Sequence, residues 1–278
     1  MAFVYLDGNI RRIHRKQNDV DQVRPKKHLG QHFLVDQNIA AKIVAQLQLP
    51  GAVTEVLEVG PGMGVLTQYL LQQEKFRTTI LDIDQESIAY LRQHFPALED
   101  RIIHADFLQA DLSSLFPGKF SLIGNFPYNI SSQIFFKVLE HRQQVVEVVG
   151  MIQKEVAERI ASKHGSKVYG IMSVLLQAFY DIEYKFTVSE QVFHPKPKVL
   201  SAVIRLERNR TENLGCSEKL FFSVVKQAFH TRRKTLRNAL RSFNLPPEVT
   251  AHPFFDLRAE QLSVQDFITL TGMVEGAV

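Results

Sequence analysis

Apolar side chains recur at helical spacing through IAAKIVAQLQL from Ile39, and Pro50-Gly51 closes that pattern. A short apolar run at Val56–Val59 then meets a glycine cluster, followed by a second helical stretch over 65–71. The arrangement predicts a strand, a tight turn and a helix. It repeats with the strand-like run TTILDID at 78–84 and a helix over 86–95, then with RIIHADF at 101–107. FSLIGNFPY at 120–128 is a fourth strand, stopped by Pro127, and VVEVVGMIQ at 145–153 is a fifth, with a helix through Glu155, Val156 and Ile160. FYDIEYKF and VLSAVIRLE alternate as antiparallel edge strands do. Seven strands interleaved with helices imply an α/β fold with a doubly wound, mostly parallel sheet, whose ligands bind beyond the carboxyl ends of the strands.

The strand signal stops near Asn209, and the remainder is helical in pattern with breaks at Pro246-Pro247 and Pro253. Residues 1–24 alternate basic and polar side chains without an apolar period, which predicts a flexible arm or extension. The expected organisation is therefore an arm over 1–24, an α/β domain over 25–208 and a small all-α domain over 209–278.

Composition narrows the class. The chain of 278 residues holds one cysteine, Cys216, so an internal disulfide framework and a cysteine-cluster metal site are excluded, as in a protein of a reducing compartment. No metal site is expected. No apolar run reaches the roughly 18 residues needed to span a bilayer, and no apolar segment of secretory type follows the basic N-terminus. A soluble, cytoplasmic protein is expected. The formal net charge of +4 conceals an asymmetry. Residues 51–110 carry nine acidic against four basic side chains, whereas 205–241 carry ten basic against three acidic. The first segment would repel nucleic acid and the second would attract it.

The segment Glu58-Val59-Gly60-Pro61-Gly62-Met63-Gly64 joins a strand to a helix, and its glycines permit both a sharp turn and close ligand approach. A strand-to-helix turn without a ligand uses the same letters. A dinucleotide fingerprint would place Gly or Ala at Val65, and the acidic Glu58 suits a cationic ligand portion better than a pyrophosphate. Asp82 ends the second strand, where a carboxylate can accept both ribose hydroxyls of an adenosine. Asp84 fits helix capping equally well. Asp106 ends the third strand and could accept from an adenine amine, with Ile83 and Phe107 sandwiching the ring. Carboxylates at successive strand ends favour an adenosine ligand, and S-adenosylmethionine satisfies the cationic demand.

Asn125-Phe126-Pro127-Tyr128 follows the fourth strand on the same sheet edge. An X-Pro turn that merely stops a strand gives the same letters. Beside a sulfonium cofactor the tetrad acquires a specific chemistry. An exocyclic amine conjugated to a base ring is a poor nucleophile, because its lone pair is delocalised. The Asn125 carboxamide oxygen and the Pro127 carbonyl can accept its two N–H bonds and turn the lone pair towards the methyl group. Tyr128 offers a face for a flipped base, worth on the order of 1–3 kcal/mol. Orientation and acceptor placement suffice, so no general base is required.

The tetrad, the turn EVGPGMGVLT and their flanks resemble the S-adenosylmethionine-dependent ribosomal RNA adenine N6-dimethyltransferases, in particular the bacterial small-subunit (16S) branch. The resemblance covers nearly everything after residue 24, through KHLGQHFL, NFPYNISSQIFF, MIQKEVAERI, FHPKPKVLSAVIRL and AFHTRRKTLRNAL. It implies a Rossmann-like methyltransferase domain and dimethylation of two adjacent adenosines near the 3′ end of 16S rRNA in the small subunit, at the pre-30S stage. It further implies cofactor contacts by His32 and Leu34 with Gly60, Asp82, Asp106 and Asn125, and Phe193 as an aromatic wall opposite Tyr128. Three departures stand out: His32 where the family usually has Asn, Asp82 where it commonly has Glu, and Phe126 where it usually has Leu.

Arg232, Arg233, Lys234, Arg237 and Arg241 are spaced so that several share one face of a continuous helix. A solvated charged face is the plain reading. Beside an acidic cofactor domain, phosphate contacts by this face and by Lys196 and Lys198 are expected. A monomer acting on RNA is expected. Two alternatives stay open: a large-subunit (23S) adenine N6-methyltransferase of the macrolide-resistance type, and a noncatalytic assembly or transcription factor on the same fold.

Overall fold

The computed structural model describes residues 23–277. Val23 is buried at 7% exposure and Arg24 is exposed; residues 1–22 of the arm expected over 1–24 lie outside the described residues.

A two-residue strand β1 (Phe33–Leu34) precedes helix α1 (Gln37–Val44), which Asp36 caps by accepting the Ile39 N–H at 3.0 Å. The α/β alternation then runs β2 (Glu55–Val59), α2 (Thr67–Leu70), β3 (Arg77–Asp82), α3 (Gln85–His94), β4 (Ile102–His104), α4 (Leu112–Leu115), β5 (Phe120–Asn125), α5 (Ser131–Glu140), β6 (Val145–Gln153) and α6 (Lys154–Ala161). Helix α7 (Ile171–Gln177) leads into β7 (Tyr180–Val188), β8 (Phe193–His194) and β9 (Ser201–Arg208). Seven strands form one sheet in the order β4-β3-β2-β5-β6-β9-β7, parallel from β4 to β6 and antiparallel at β9 and β7. The chain builds outward from β2 to β4, then returns to place β5 on the other side of β2. That reversal opens a crevice at the carboxyl ends of β2 and β5, which puts the glycine turn and the Asn125 tetrad side by side.

The seven strands and their mostly parallel sheet agree with the hydrophobic pattern, and three details differ. β9 is interior rather than an edge, which is why its first six residues are all buried; only β7, at the margin, alternates. The helix expected over 65–71 contracts to α2, because residues 62–66 form turns. β1 and β8 pair antiparallel as a separate two-stranded sheet, with Phe33 opposite His194 and Leu34 opposite Phe193. Strands of two residues have no periodicity to read.

After β9 the described chain is helical: α8 (Glu218–His230), α9 (Leu236–Ala239), α10 (Pro247–Thr250) and α11 (Val264–Glu275). Phe221, Val225 and Phe267 belong to the same apolar cluster as Leu57, Leu122 and Val148 of the sheet. The helices thus share a core with the sheet. Among the described residues no helix is long and apolar enough to cross a membrane.

One buried charge network braces the sheet behind the crevice. Arg205, 3% exposed, donates from Nε to Glu147 at 2.7 Å and from its terminal nitrogens to Glu183 at 3.0 Å and Glu207 at 2.6 Å. Glu147 is fully buried and also accepts the N–H groups of Gln48 and Leu49, at 3.0 and 3.1 Å, which fixes the turn after α1 to β6. Glu183 and Glu207 are open to solvent, so removing Arg205 strands only the Glu147 carboxylate. Arg205→Met is therefore expected to lower unfolding free energy by about 3–5 kcal/mol in urea titrations, with part of the loss recovered by Arg205→Met/Glu147→Gln.

Candidate functional site

The crevice is a cavity of about 270 Å³ whose walls include Gly60, Gly62, Asp82, Ile83, Asp106, Asn125, Pro127 and Tyr128. The turn that forms its floor needs glycine for two separate reasons. Gly62 has φ of +57°, and a Cβ there would come within 2.9 Å of the Phe33 ring. Gly60 has φ of +68°, and its nearest neighbours to a Cβ are the Asn125 carbonyl oxygen at 3.9 Å and Pro127 Cδ at 4.0 Å. Its missing side chain therefore leaves open space for a ligand against the backbone.

Asp82 stands beside this turn with 6% exposure. Its two oxygens accept backbone N–H groups, Oδ1 from Asp84 at 2.8 Å and Oδ2 from Gly62 at 3.3 Å, so the carboxylate plane is fixed before any ligand binds. Burial pushes its pKa up, and the two N–H bonds only partly offset that. Asp106 accepts the Leu108 N–H at 2.9 Å in a local turn. Ile83 is 48% exposed at the cavity wall, an apolar surface held open where a ring could rest.

Residues 28–33 cross the cavity as a strap and line it. Asp84 anchors one end. It caps α3 by accepting the Glu86 N–H at 3.0 Å, accepts from Gln31 Nε2 at 3.0 Å, and is paired with Lys26. Burial alone would raise the Asp84 pKa; the Gln31 and Lys26 hydrogen bonds outweigh it and hold the group below the ordinary carboxylate range. The choice left open by the sequence resolves as capping plus anchoring. The β1–β8 pairing holds the other end of the strap.

Between these anchors, the His32 carbonyl accepts from Asn125 Nδ2 at 2.8 Å. A carbonyl can only accept, so this contact fixes which way the Asn125 amide points and leaves Oδ1 as its free acceptor. His32 Nδ1 lies 2.7 Å from the Pro195 carbonyl, and its ring stacks on Tyr128 with centroids 5.4 Å apart. The Pro127 carbonyl takes the Ile130 N–H at 3.2 Å and keeps a second lone pair. The Tyr128 hydroxyl is hydrogen-bonded to Ser201, and burial holds the phenol above its ordinary pKa, so it stays neutral.

Several expected residues stand elsewhere. Glu58 is 1% exposed and does not line the cavity; Thr67 Oγ1 donates to it at 2.6 Å, which turns it towards α2 and away from any cationic ligand. Phe107 is 3% exposed in the main core, because the turn at Asp106 sends Phe107 inward and brings Leu108 to the cavity. Leu34 and Phe193 are buried at 3% and 4% in an apolar cluster with Met151 and Val188, so neither walls the cavity; the ring stacked on Tyr128 belongs to His32. Sequence reasoning missed the strap residues Lys26, Gln31 and Phe33 and the cavity residue Asn129. Their contacts leave no periodicity in the chain.

The basic residues also separate. α8 ends at His230, and Arg232, Arg233 and Lys234 form a turn, because the Leu236 N–H donates to the Leu257 carbonyl at 2.7 Å and Thr235 bridges Arg258. The single helical face is therefore broken. Arg232 donates to the Lys167 and Tyr169 carbonyls at 2.6 and 3.0 Å, Arg237 pairs with Asp256 at 2.7 Å, and Lys196 pairs with Glu190 at 3.2 Å. Arg233, Lys234 and Lys198 are exposed.

A family profile described as ribosomal RNA adenine dimethylase matches residues 22–271. The chain is 62% identical over 257 residues to a ribosomal RNA small subunit methyltransferase A of Cytophaga hutchinsonii, covering 92% of this chain and 100% of that relative. It is 56% identical to the protein of the same name from Flavobacterium johnsoniae, covering 92% of this chain and 98% of the relative. Among solved structures, a dimethyladenosine transferase from Plasmodium falciparum superposes with a TM-score of 0.73 at 25% identity, covering 86% of this chain and 96% of that one. The 23S rRNA methyltransferase ErmE superposes with a TM-score of 0.64 at 25% identity, covering 87% and 99%.

The buried Glu58 yields a pH prediction. Burial pushes its pKa from 4.5 up to about 8, against the Thr67 hydrogen bond. Below pH 4.5 the folded and unfolded chains both hold the proton; as pH rises towards 8 the unfolded carboxyl ionises first, so this group progressively destabilises the fold. Glu58→Gln is expected to be more stable than the parent at pH 8 by a few kcal/mol, about 1.4 for each tenfold change in proton affinity, and so to melt at higher temperature there, with the gap closing by pH 5. Calorimetric melts across pH 5–9 measure it.

Proposed function

The chain belongs to the ribosomal RNA adenine dimethylase family, and from that membership we propose that it transfers methyl groups from S-adenosylmethionine to the N6 amines of two adjacent adenosines near the 3′ end of 16S rRNA, giving N6,N6-dimethyladenosine during small-subunit biogenesis. The enzyme works in the cytoplasm as a monomer, with one chain supplying every residue of the site.

The cavity suits the cofactor. Gly60 leaves room at the backbone for a close-lying ligand, Asp82 presents a fixed carboxylate for ribose hydroxyls, and Asp106 with the exposed Ile83 suits an adenine amine and ring. When bound, the cofactor supplies an electrophilic methyl on a sulfonium. The chain's task is then to aim a weak nucleophile.

The observation that carries this reading is the Asn125 amide. Its nitrogen is committed to the His32 carbonyl, so the free Oδ1 of a cavity-lining side chain is an acceptor for one N–H of the adenine amine. The spare lone pair of the Pro127 carbonyl accepts the other. Acceptors preset in this way favour the rehybridised amine and stabilise the positive charge that grows on nitrogen as the bond to carbon forms. Tyr128 gives the extruded base a ring to stack on. The amine proton leaves after transfer, and no histidine is needed to remove it beforehand.

Residues 209–278 dock the RNA. The exposed Arg233, Lys234 and Lys198 contact phosphates, whereas Arg232 serves as a staple to the loop after α6. Such contacts position the substrate without reading its bases.

Labelled S-adenosylmethionine supplied with small subunits lacking the modification, or with large-subunit RNA, tests the reading by nucleoside analysis. Dimethyladenosine in small-subunit RNA is expected; its appearance only in large-subunit RNA overturns the assignment. Asn125→Ala should lower kcat by about 10²–10³ while calorimetry still detects cofactor binding. Reversing Arg233 and Lys234 to Glu should weaken subunit binding and reduce the salt slope by about one per lost phosphate contact.

A further inference from the structure

Ser201 is fully buried at the start of β9, facing Gln153 in β6 and Val188 in β7 across the sheet. Its hydroxyl is hydrogen-bonded to the hydroxyl of Tyr128. Stacking a base requires only a ring, which phenylalanine would supply. A buried hydroxyl costs free energy unless it finds a partner, so the phenol oxygen here is retained together with the group that satisfies it.

Tyr128 has two side-chain torsions, and two contacts address them separately. The hydroxyl lies on the axis of ring rotation, so the Ser201 bond fixes the direction of the ring through χ1 and has no hold on rotation about χ2. The stacked His32 ring, 5.4 Å away and inclined by 30°, sets the plane. His32 is in turn held through Nδ1 by the Pro195 carbonyl at 2.7 Å. Three chain segments, the strap, the loop at 195 and the first residue of β9, thus converge on one ring.

We infer that Ser201 is a positioning residue for methyl transfer, acting through the Tyr128 hydroxyl to hold the base platform in line with the acceptors at Asn125 and Pro127. The inference rests on the proposed reading of Tyr128 as the surface on which the target base stacks. Ser201 has no chemistry of its own in the reaction: it lies outside the cavity wall, and its hydroxyl serves another hydroxyl.

A double-mutant cycle on the full chain tests the inference. Parent, Ser201→Ala, Tyr128→Phe and Ser201→Ala/Tyr128→Phe are compared for kcat and KM with unmodified small subunits, for cofactor Kd and for melting temperature. Ser201→Ala and Tyr128→Phe should each lower kcat by about 10-fold, as a small misplacement of a reacting group does, with cofactor Kd unchanged. The double variant should be no slower than Tyr128→Phe, since both changes delete one bond, and Ser201→Thr should restore the rate. Unchanged kcat in Ser201→Ala, or losses that multiply in the double variant, would overturn the inference. NMR of ¹³C-tyrosine-labelled protein gives an arm independent of substrate. The Tyr128 ring signals, assigned by their loss in Tyr128→Phe, should move in Ser201→Ala; signals that stay in place refute the contact. A parent enzyme that methylates nothing in small subunits would defeat the functional reading, while the NMR arm still decides whether Ser201 holds the ring.

Discussion

The hydrogen bond from Asn125 Nδ2 to the His32 carbonyl is the contact on which the site depends. It joins the end of β5 to a strap that the chain laid down before the sheet began, and it decides which atom of a two-faced amide is available for chemistry. Reversed, the same side chain would present two N–H groups to an amine that is itself a donor. The strap that supplies the carbonyl is held by Asp84 at one end and by β8 at the other, so the orientation of one amide is set by groups drawn from three parts of the sequence.

Charge is distributed in keeping with this division of labour. Acidic groups gather at the carboxyl ends of β2 and β3, but they are not equivalent. Glu58 is sealed under the turn and favours its proton, Asp84 is spent on the strap, and Asp82 alone combines deep burial with a place on the cavity wall. The basic surface divides in the same way. Arg232 and Arg237 are paired within the protein, whereas Arg233 and Lys234 between them project into solvent.

The α/β alternation was legible because parallel strands buried on both faces leave continuous apolar runs, and the turn and tetrad were legible because their residue types are chemically unusual. Asp82, Asp106 and Asn125 could be placed on one edge for that reason: Asp82 and Asn125 each end a strand, and Asp106 lies two residues beyond the end of β4. Which neighbour turns inward was not legible. Phe107 and Leu108 are both apolar, and only the local turn at Asp106 decides that Phe107 enters the core. The end of α8 was equally hidden, since TRRKT carries no apolar period and the tertiary bond from Leu236 to Leu257 draws the chain out of the helix. Phe193 misled in another way. The family resemblance made it a wall of the base pocket, whereas its burial beside Leu34 makes it the anchor of the strap.

The contact between His32 and Pro195 spans 163 positions of the chain. During synthesis the glycine turn and its strand-end carboxylates leave the ribosome long before the loop at 195, and non-local pairings of this kind form late. Until they do, the strap lacks its second anchor. The strap, made before the rest of the site, is thus the last part of it to be held in place.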